Sequence, residues 1–259
     1  MRLTPRQGCR GENNVTGPRT FCQAIAKPSG REQGKQCPAV PAWCRPLREA
    51  MVAVHARSTT FQARTSEIDA GVRYVTEEVM PEIMAMDGCI GLSMLVDREA
   101  GRCIATSAWT DARSMRAADA ALRPMREQAG VILGGNPQVD EWEIAVLHRD
   151  HRTTDSTCVR CTWLQMEPER VDDAIERFRS EVLPTAEGMA GFCSASLMVD
   201  RQSGRAVSSV TWDSREAMED SREAATQLRS RVAKASGAQI QDVAEFDLVL
   251  AHLRVPELV

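Results

Sequence analysis

The 259 residues are 43% apolar and 26% charged, with a net charge of −4, the balance of an ordinary soluble globular chain. No apolar run reaches the roughly 18 residues that a membrane span needs, so no membrane partner is expected. Residues 1–50 hold nine basic against three acidic side chains, so the rest of the chain carries −10, and such an acidic body excludes a nucleic-acid partner, which would require basic surface.

Residues 1–50 contain six of the twelve prolines, five glycines and no sustained apolar period. Such a segment cannot bury enough surface to offset its ordering entropy. It is expected to be a disordered N-terminal extension, with Met51 an alternative start, and it lacks the apolar centre of an export peptide. Cys9, Cys22, Cys37 and Cys44 lie there without zinc-like spacing. Together with the other cysteines, read as reduced thiols, they suit a cytoplasmic location.

A first strand follows in "VAVHARSTTF". Ile68, Val72, Val75, Val79 and Ile83 then fall on one helical stripe. "CIGLSMLV" and "CIATSAW" read as two strands joined by "DREAG", whose glycine suits a hairpin position with positive φ. Met115, Ala118, Leu122, Met125, Ala129 and Ile132 mark a second helix, and "EWEIAVLH" a last strand. After a polar linker, "RDHRTTDST", the series begins again with "TCVRCTWLQM". In it Cys158 and Cys161, three apart on a strand, point to opposite faces and read as small buried thiols, not a metal or redox pair. Val171, Ile175, Phe178 and Val182 form the next helical stripe, and Asp213 with Glu216 resembles a capping box.

The second series repeats the first. "GCIGLSMLVDREAGR" (88–102) and "GFCSASLMVDRQSGR" (191–205) share seven of fifteen residues at a shift of 103. The same shift aligns Pro81 with Pro184 and Trp109 with Trp212; one inserted residue later, His148 aligns with His252. The fold class is therefore α+β: two tandem ferredoxin-like βαββαβ repeats, 51–150 and 156–259, whose open sheet faces bury each other as an intrachain pseudo-dimeric α/β barrel. The chain is expected as a monomer with an internal pseudo-twofold, or self-associating.

The glycine, hairpin and strand ending in Trp109 or Trp212, followed by Met115 or Met218, resembles the dimeric α/β-barrel superfamily. That superfamily includes antibiotic-biosynthesis-type monooxygenases, haem-degrading enzymes and stress-responsive barrels. The tandem copies and the ending "AHLRVPELV" are similar to a small group of uncharacterised actinobacterial two-repeat proteins. The resemblance spans 52–255 and implies a scaffold more than an activity. Haem-degrading members use a first-strand asparagine, a tryptophan ending the third strand and a histidine on the second helix. Trp109 and Trp212 match the tryptophan, whereas Ser58 or Cys161 and Asp119 or Arg222 stand at the other places, so haem cleavage and a resident cofactor are not expected.

The remaining candidates for ligand binding are twinned: Arg57 and Arg160, Trp109 and Trp212, His148 and His252. An arginine on a strand face can hold a carboxylate or enolate, or pair with Glu141 or Glu245. A tryptophan at a strand end is also a packing residue. The histidines, by strand alternation, share a face with Trp142 or Phe246 and could act as bases or as core residues. Neither a metal site nor a phosphate loop is expected. The small residues Gly91 and Ser93 place any pocket in the first repeat. The expected function is a non-catalytic or small-apolar-ligand-binding module, with a cofactor-independent monooxygenase acting on an aromatic substrate as the alternative.

Overall fold

A computed structural model describes residues 53–154 and 156–259. The extension expected over 1–50, its four cysteines and Met51 lie outside the described residues. The element order βαββαβ occurs twice. The first set is β1 (His55–Gln62), α1 (Ile68–Tyr74), α2 (Met80–Met84), β2 (Cys89–Asp97), β3 (Arg102–Trp109), α3 (Ala112–Ala117), α4 (Asp119–Leu133) and β4 (Gln138–Arg149). The second is β5 (Cys158–Gln165), α5 (Val171–Arg177), α6 (Leu183–Glu187), β6 (Phe192–Asp200), β7 (Arg205–Trp212), α7 (Arg215–Asp220), α8 (Arg222–Ser236) and β8 (Gln239–Leu253).

The eight strands close into one antiparallel barrel in the order β1-β3-β2-β8-β5-β7-β6-β4. Closure depends on the length of the last strand of each repeat. β4 pairs through Glu143 with β1 of its own repeat and from Glu143 to Arg149 with β6 of the other. β8 does the same with β5 and β2. Closure removes the open edges that a single four-stranded sheet would present. At the hairpin end each repeat also clasps the other: Arg102 lies over the Trp163 ring and pairs with Asp242 at 2.7 Å, while Arg205 lies over Trp142 and pairs with Asp140 at 2.7 Å.

Apolar side chains form two cores between sheet and helices and a third cluster facing the barrel lumen. Trp109, Met115 and Leu133 are fully buried in the first core, Trp212 and Met218 in the second. Tight hairpins set the strand register. Gly101 and Gly204 both adopt φ +71°, and a Cβ on either would strike a main-chain oxygen, of Ala63 or Met166. Only glycine fits there.

The first helix of each repeat carries one wide, π-type turn, Val75–Val79 and Phe178–Val182. Pro81 and Pro184 follow two residues later. A proline inside a helix has no N–H to donate and crowds the carbonyl four residues back. The Met80 and Leu183 amides bond five residues back, to Val75 and Phe178, which widens the ladder ahead of each ring.

Two local expectations are corrected. The residue capping α7 is Ser214, whose hydroxyl accepts from the Ala217 amide at 3.2 Å; Asp213 points elsewhere, to His151. In addition, strand alternation is interrupted. Extra residues bulge from β4 at Ala145 and from β8 at Val249, as they do at Ile90 in β2 and Cys193 in β6. One extra residue inverts every later side chain. His148 therefore stands opposite Ala195 and His252 opposite Leu92, both helix-side core residues, and not on the lumen face of Trp142 or Phe246.

Candidate functional site

In each repeat the wide helical turn leaves a cavity between sheet and helices. The first-repeat cavity holds about 50 Å³, beside Arg57, Val75, Val79 and Arg126. The second-repeat cavity holds about 90 Å³, beside Arg160, Phe178, Val182, Trp212 and Arg229. The roomier one lies in the second repeat, against the expectation drawn from Gly91. A Cβ on Gly91 would come within 2.8 Å of the His252 carbonyl oxygen, so that glycine admits strand β8 instead of a ligand.

The same positions are wired differently in the two repeats. In the first, Arg57 donates to Glu141 at 2.6 Å and lies 3.1 Å from Asp119. Arg126 also pairs with Asp119, and the Trp109 indole N–H donates to the Ser107 hydroxyl at 2.9 Å. Burial pushes the Glu141 carboxyl up, but hydrogen bonds from Arg57 and Arg116 outweigh it and hold it below its ordinary value. Asp119 is likewise lowered, chiefly by Arg123 and then Arg126. The first cavity is small, and although Arg57 Nε and Nη1 lack hydrogen-bond partners, Glu141 and Asp119 offset the charge of its two arginines.

In the second repeat three arms of Arg160 are satisfied. It donates to Glu245 at 2.8 Å, to the Ser221 hydroxyl at 3.0 Å and to the Met218 carbonyl oxygen at 2.7 Å, so it caps the end of α7. Val210 stands where the first repeat has Ser107, and the buried Trp212 indole N–H is left without an acceptor. Arg222 stands where the first repeat has Asp119, so Arg229, the counterpart of Arg126, loses its carboxylate. Its only side-chain hydrogen bond among the described residues goes to Thr226. Burial, and then repulsion from Arg160, lower the Arg229 pKa. The second cavity thus combines an unpaired donor, a cation short of a counter-charge and largely apolar walls interrupted by Thr162, Ser208 and Ser236.

The six sequence candidates therefore fall in separate places. Arg160 and Trp212 meet at the second cavity, Arg57 lines the first, and Trp109 is core packing beside it. His148 stacks on Phe192 and lies 2.9 Å from Glu187, while His252, opposite the helix-side Leu92, reaches only the rim of the lumen where β8 ends. Arg229 was not singled out from sequence. Its signal was available in the 103-residue comparison, which shows Asp119 replaced by Arg222 beside a retained arginine.

Burial disfavours the thiolate at each of the five described cysteines. Burial pushes Cys103 and Cys161 up to about 11, and Cys158 and Cys193 upward as well. Cys158 faces the helix-side core and Cys161 the lumen, so the CxxC pair cannot act together. His151, Cys193 and Asp213 bring donor atoms within 4.8 Å of one another. However, His151 already bonds Asp150 at 2.9 Å and Asp213 at 2.6 Å, and these two carboxylates raise its pKa. The cluster is a hydrogen-bonded latch between the linker and the end of β7.

Residues 161–231 match the family model for antibiotic biosynthesis monooxygenase. An uncharacterised Mycobacterium tuberculosis protein, Rv2557, is 52% identical over 215 residues, covering 83% of this chain and 96% of that protein. A second, Rv2558, is 50% identical over 207 residues, covering 80% and 88%. The chain belongs to the family of these mycobacterial proteins. Its fold is that of the antibiotic-biosynthesis-monooxygenase-like α/β barrels. A presumed monooxygenase of Fusobacterium nucleatum superposes with a TM-score of 0.60 at 13% identity, over 78% of this chain and 95% of its own. An anthrone oxidase-like protein does so with a TM-score of 0.59 at 14% identity, over 80% and 95%. Among the described residues no helix is long and apolar enough to cross a membrane.

Proposed function

We propose that this family member is a binding module whose second-repeat cavity takes a single-ring aromatic molecule bearing an anionic or strongly accepting oxygen. The observation carrying this reading is the Trp212 indole N–H without an acceptor beside Arg229 without a carboxylate, at a largely apolar cavity, whereas the first repeat gives Trp109 an acceptor and Arg126 a carboxylate. A cavity of about 90 Å³ is several times the room of one water and suits one ring better than several. Benzoate is the probe. Arg229→Gln is expected to weaken it about tenfold, the equivalent of about 1.4 kcal/mol. Val210→Ser, which supplies Trp212 with the acceptor that Trp109 already has, is expected to weaken it severalfold. Calorimetric affinities unchanged by both variants would place the ligand elsewhere.

A cofactor-independent oxygenase is the second reading, favoured by the family model and by the monooxygenase-like neighbours. Proton abstraction from a phenol or anthrone needs a positioned base. No Asp, Glu, His, Lys or Tyr is among the described residues lining the second cavity, which supports binding over turnover. Oxygen uptake with anthrone is therefore expected to stay at the rate of uncatalysed oxidation. Stoichiometric uptake that disappears in Trp212→Phe would establish the oxygenase instead.

A further inference from the structure

A third cavity among the described residues, larger than the other two, belongs to neither repeat alone. It is the barrel lumen, about 650 Å³, inside the range of sites that enclose a small organic ligand. Exposure along the strands marks the inside as the open side. Ser93, Leu95, Ser196 and Met198 face the lumen and are half-buried, while the alternating Met94, Val96, Leu197 and Val199 are sealed against the helices.

Three features define the chemistry of the lumen. Nine hydroxyls line it; Ser58 accepts from the Trp142 indole and Ser209 pairs with Cys161, whereas those of Thr60, Ser93, Thr106, Ser196 and Thr211 have no side-chain hydrogen bond to another described residue. Trp142 and Trp163 form aromatic walls, each held by its arginine clasp. Where β4 and β8 end, Arg152 and Arg254 line the cavity, and no described carboxylate lies within 4 Å of either. Arg149 stands beside them with a buried Nη2 that lacks a partner.

These features exclude two simple occupants. A plain acyl chain would fit the walls but strip water from five hydroxyls without replacing their bonds. A neutral polyol would satisfy the hydroxyls and make no use of the cationic mouth or the indole faces. We infer that the lumen is a second binding site, separate from the second-repeat cavity, for hydroxylated aromatic acids. The ring lies between Trp142 and Trp163, its polar substituents meet the strand hydroxyls, and its carboxylate sits at Arg152 and Arg254.

Calorimetry on the full chain tests this with chlorogenate, its methyl ester and dodecanoate. Chlorogenate is expected to bind one to one, and the other two at least tenfold more weakly. Arg152→Gln with Arg254→Gln should cost chlorogenate about tenfold and leave the ester unchanged, because only the charge contact is lost. Ser196→Phe should block the lumen and abolish binding. Should that variant fail to fold, Ser93→Ala with Ser196→Ala is the milder test, expected to weaken chlorogenate and strengthen dodecanoate. Val210→Ser and Arg229→Gln should have no effect, which separates this site from the benzoate site. Absent chlorogenate binding, equal affinity for dodecanoate, or binding indifferent to every lumen variant would overturn the inference.

Discussion

Replacing Arg57 by alanine removes a guanidinium that is 4% exposed, while its partners Glu141 and Asp119 keep 35% and 31% of their side-chain surface in water. Breaking a fully buried pair costs about 3–5 kcal/mol, and residual solvation of the carboxylates reduces this to about 2 kcal/mol. Urea unfolding of Arg57→Ala measures it. Arg160→Ala should cost more, because the end of α7 loses its cap as well. Glu141 and Asp119 have folded pKa values below their unfolded ones. Their stabilisation is present above the unfolded carboxylate range and is lost as pH falls through the folded values. Glu141→Gln should therefore flatten the acid limb of a stability–pH curve. His151 has the opposite sign: Asp150 and Asp213 raise its pKa, so its contribution is complete below the unfolded value near 6.5 and fades as pH rises through the folded one. A proton NMR titration should place its midpoint above 6.5, and Asp213→Asn should bring it down. The pairing of Arg57 and Arg160 with Glu141 and Glu245 was legible in sequence as one of their open alternatives. The facing of His148 and His252 was not, because alternation cannot register a bulge at Ala145 or Val249.

At the scale of elements, each repeat builds its cavity from a proline-widened helix lying over a sheet. Pro184→Ala should let the ladder near Phe178–Val182 tighten toward a regular α-helix. Hydrogen exchange of the Leu183 amide should then slow, and benzoate affinity should fall as the cavity narrows. Ser214→Ala removes the cap of α7 and should cost about 1 kcal/mol, read from the thermal midpoint. Strand and helix order was legible because the apolar periods are clean and the glycines mark the hairpins. The wide turns were signalled only by the twin prolines, and the true cap lay one residue past the expected one, since Asp213 is drawn away by a histidine distant in sequence.

For the whole molecule, closure of the barrel is the shared property of two repeats that each leave a sheet unfinished. Residues 53–152 alone present the second half of β4 and the free side of β2 without partners. That fragment is expected to self-associate or to stay unfolded, and light scattering with circular dichroism distinguishes both outcomes from a folded monomer, which would contradict the account. Sequence by itself determined the duplication, the βαββαβ order, the barrel class and the family, because these rest on local periodicity and on similarity along the chain. It also supplied the substitutions, Ser107 to Val210 and Asp119 to Arg222, that make the repeats unequal. Only the tertiary structure decided which strand face each side chain takes after a bulge, which cavity stays open and that the lumen is not filled. Those depend on strand register and on the volume left between packed surfaces, and both are set by contacts between residues a hundred positions apart.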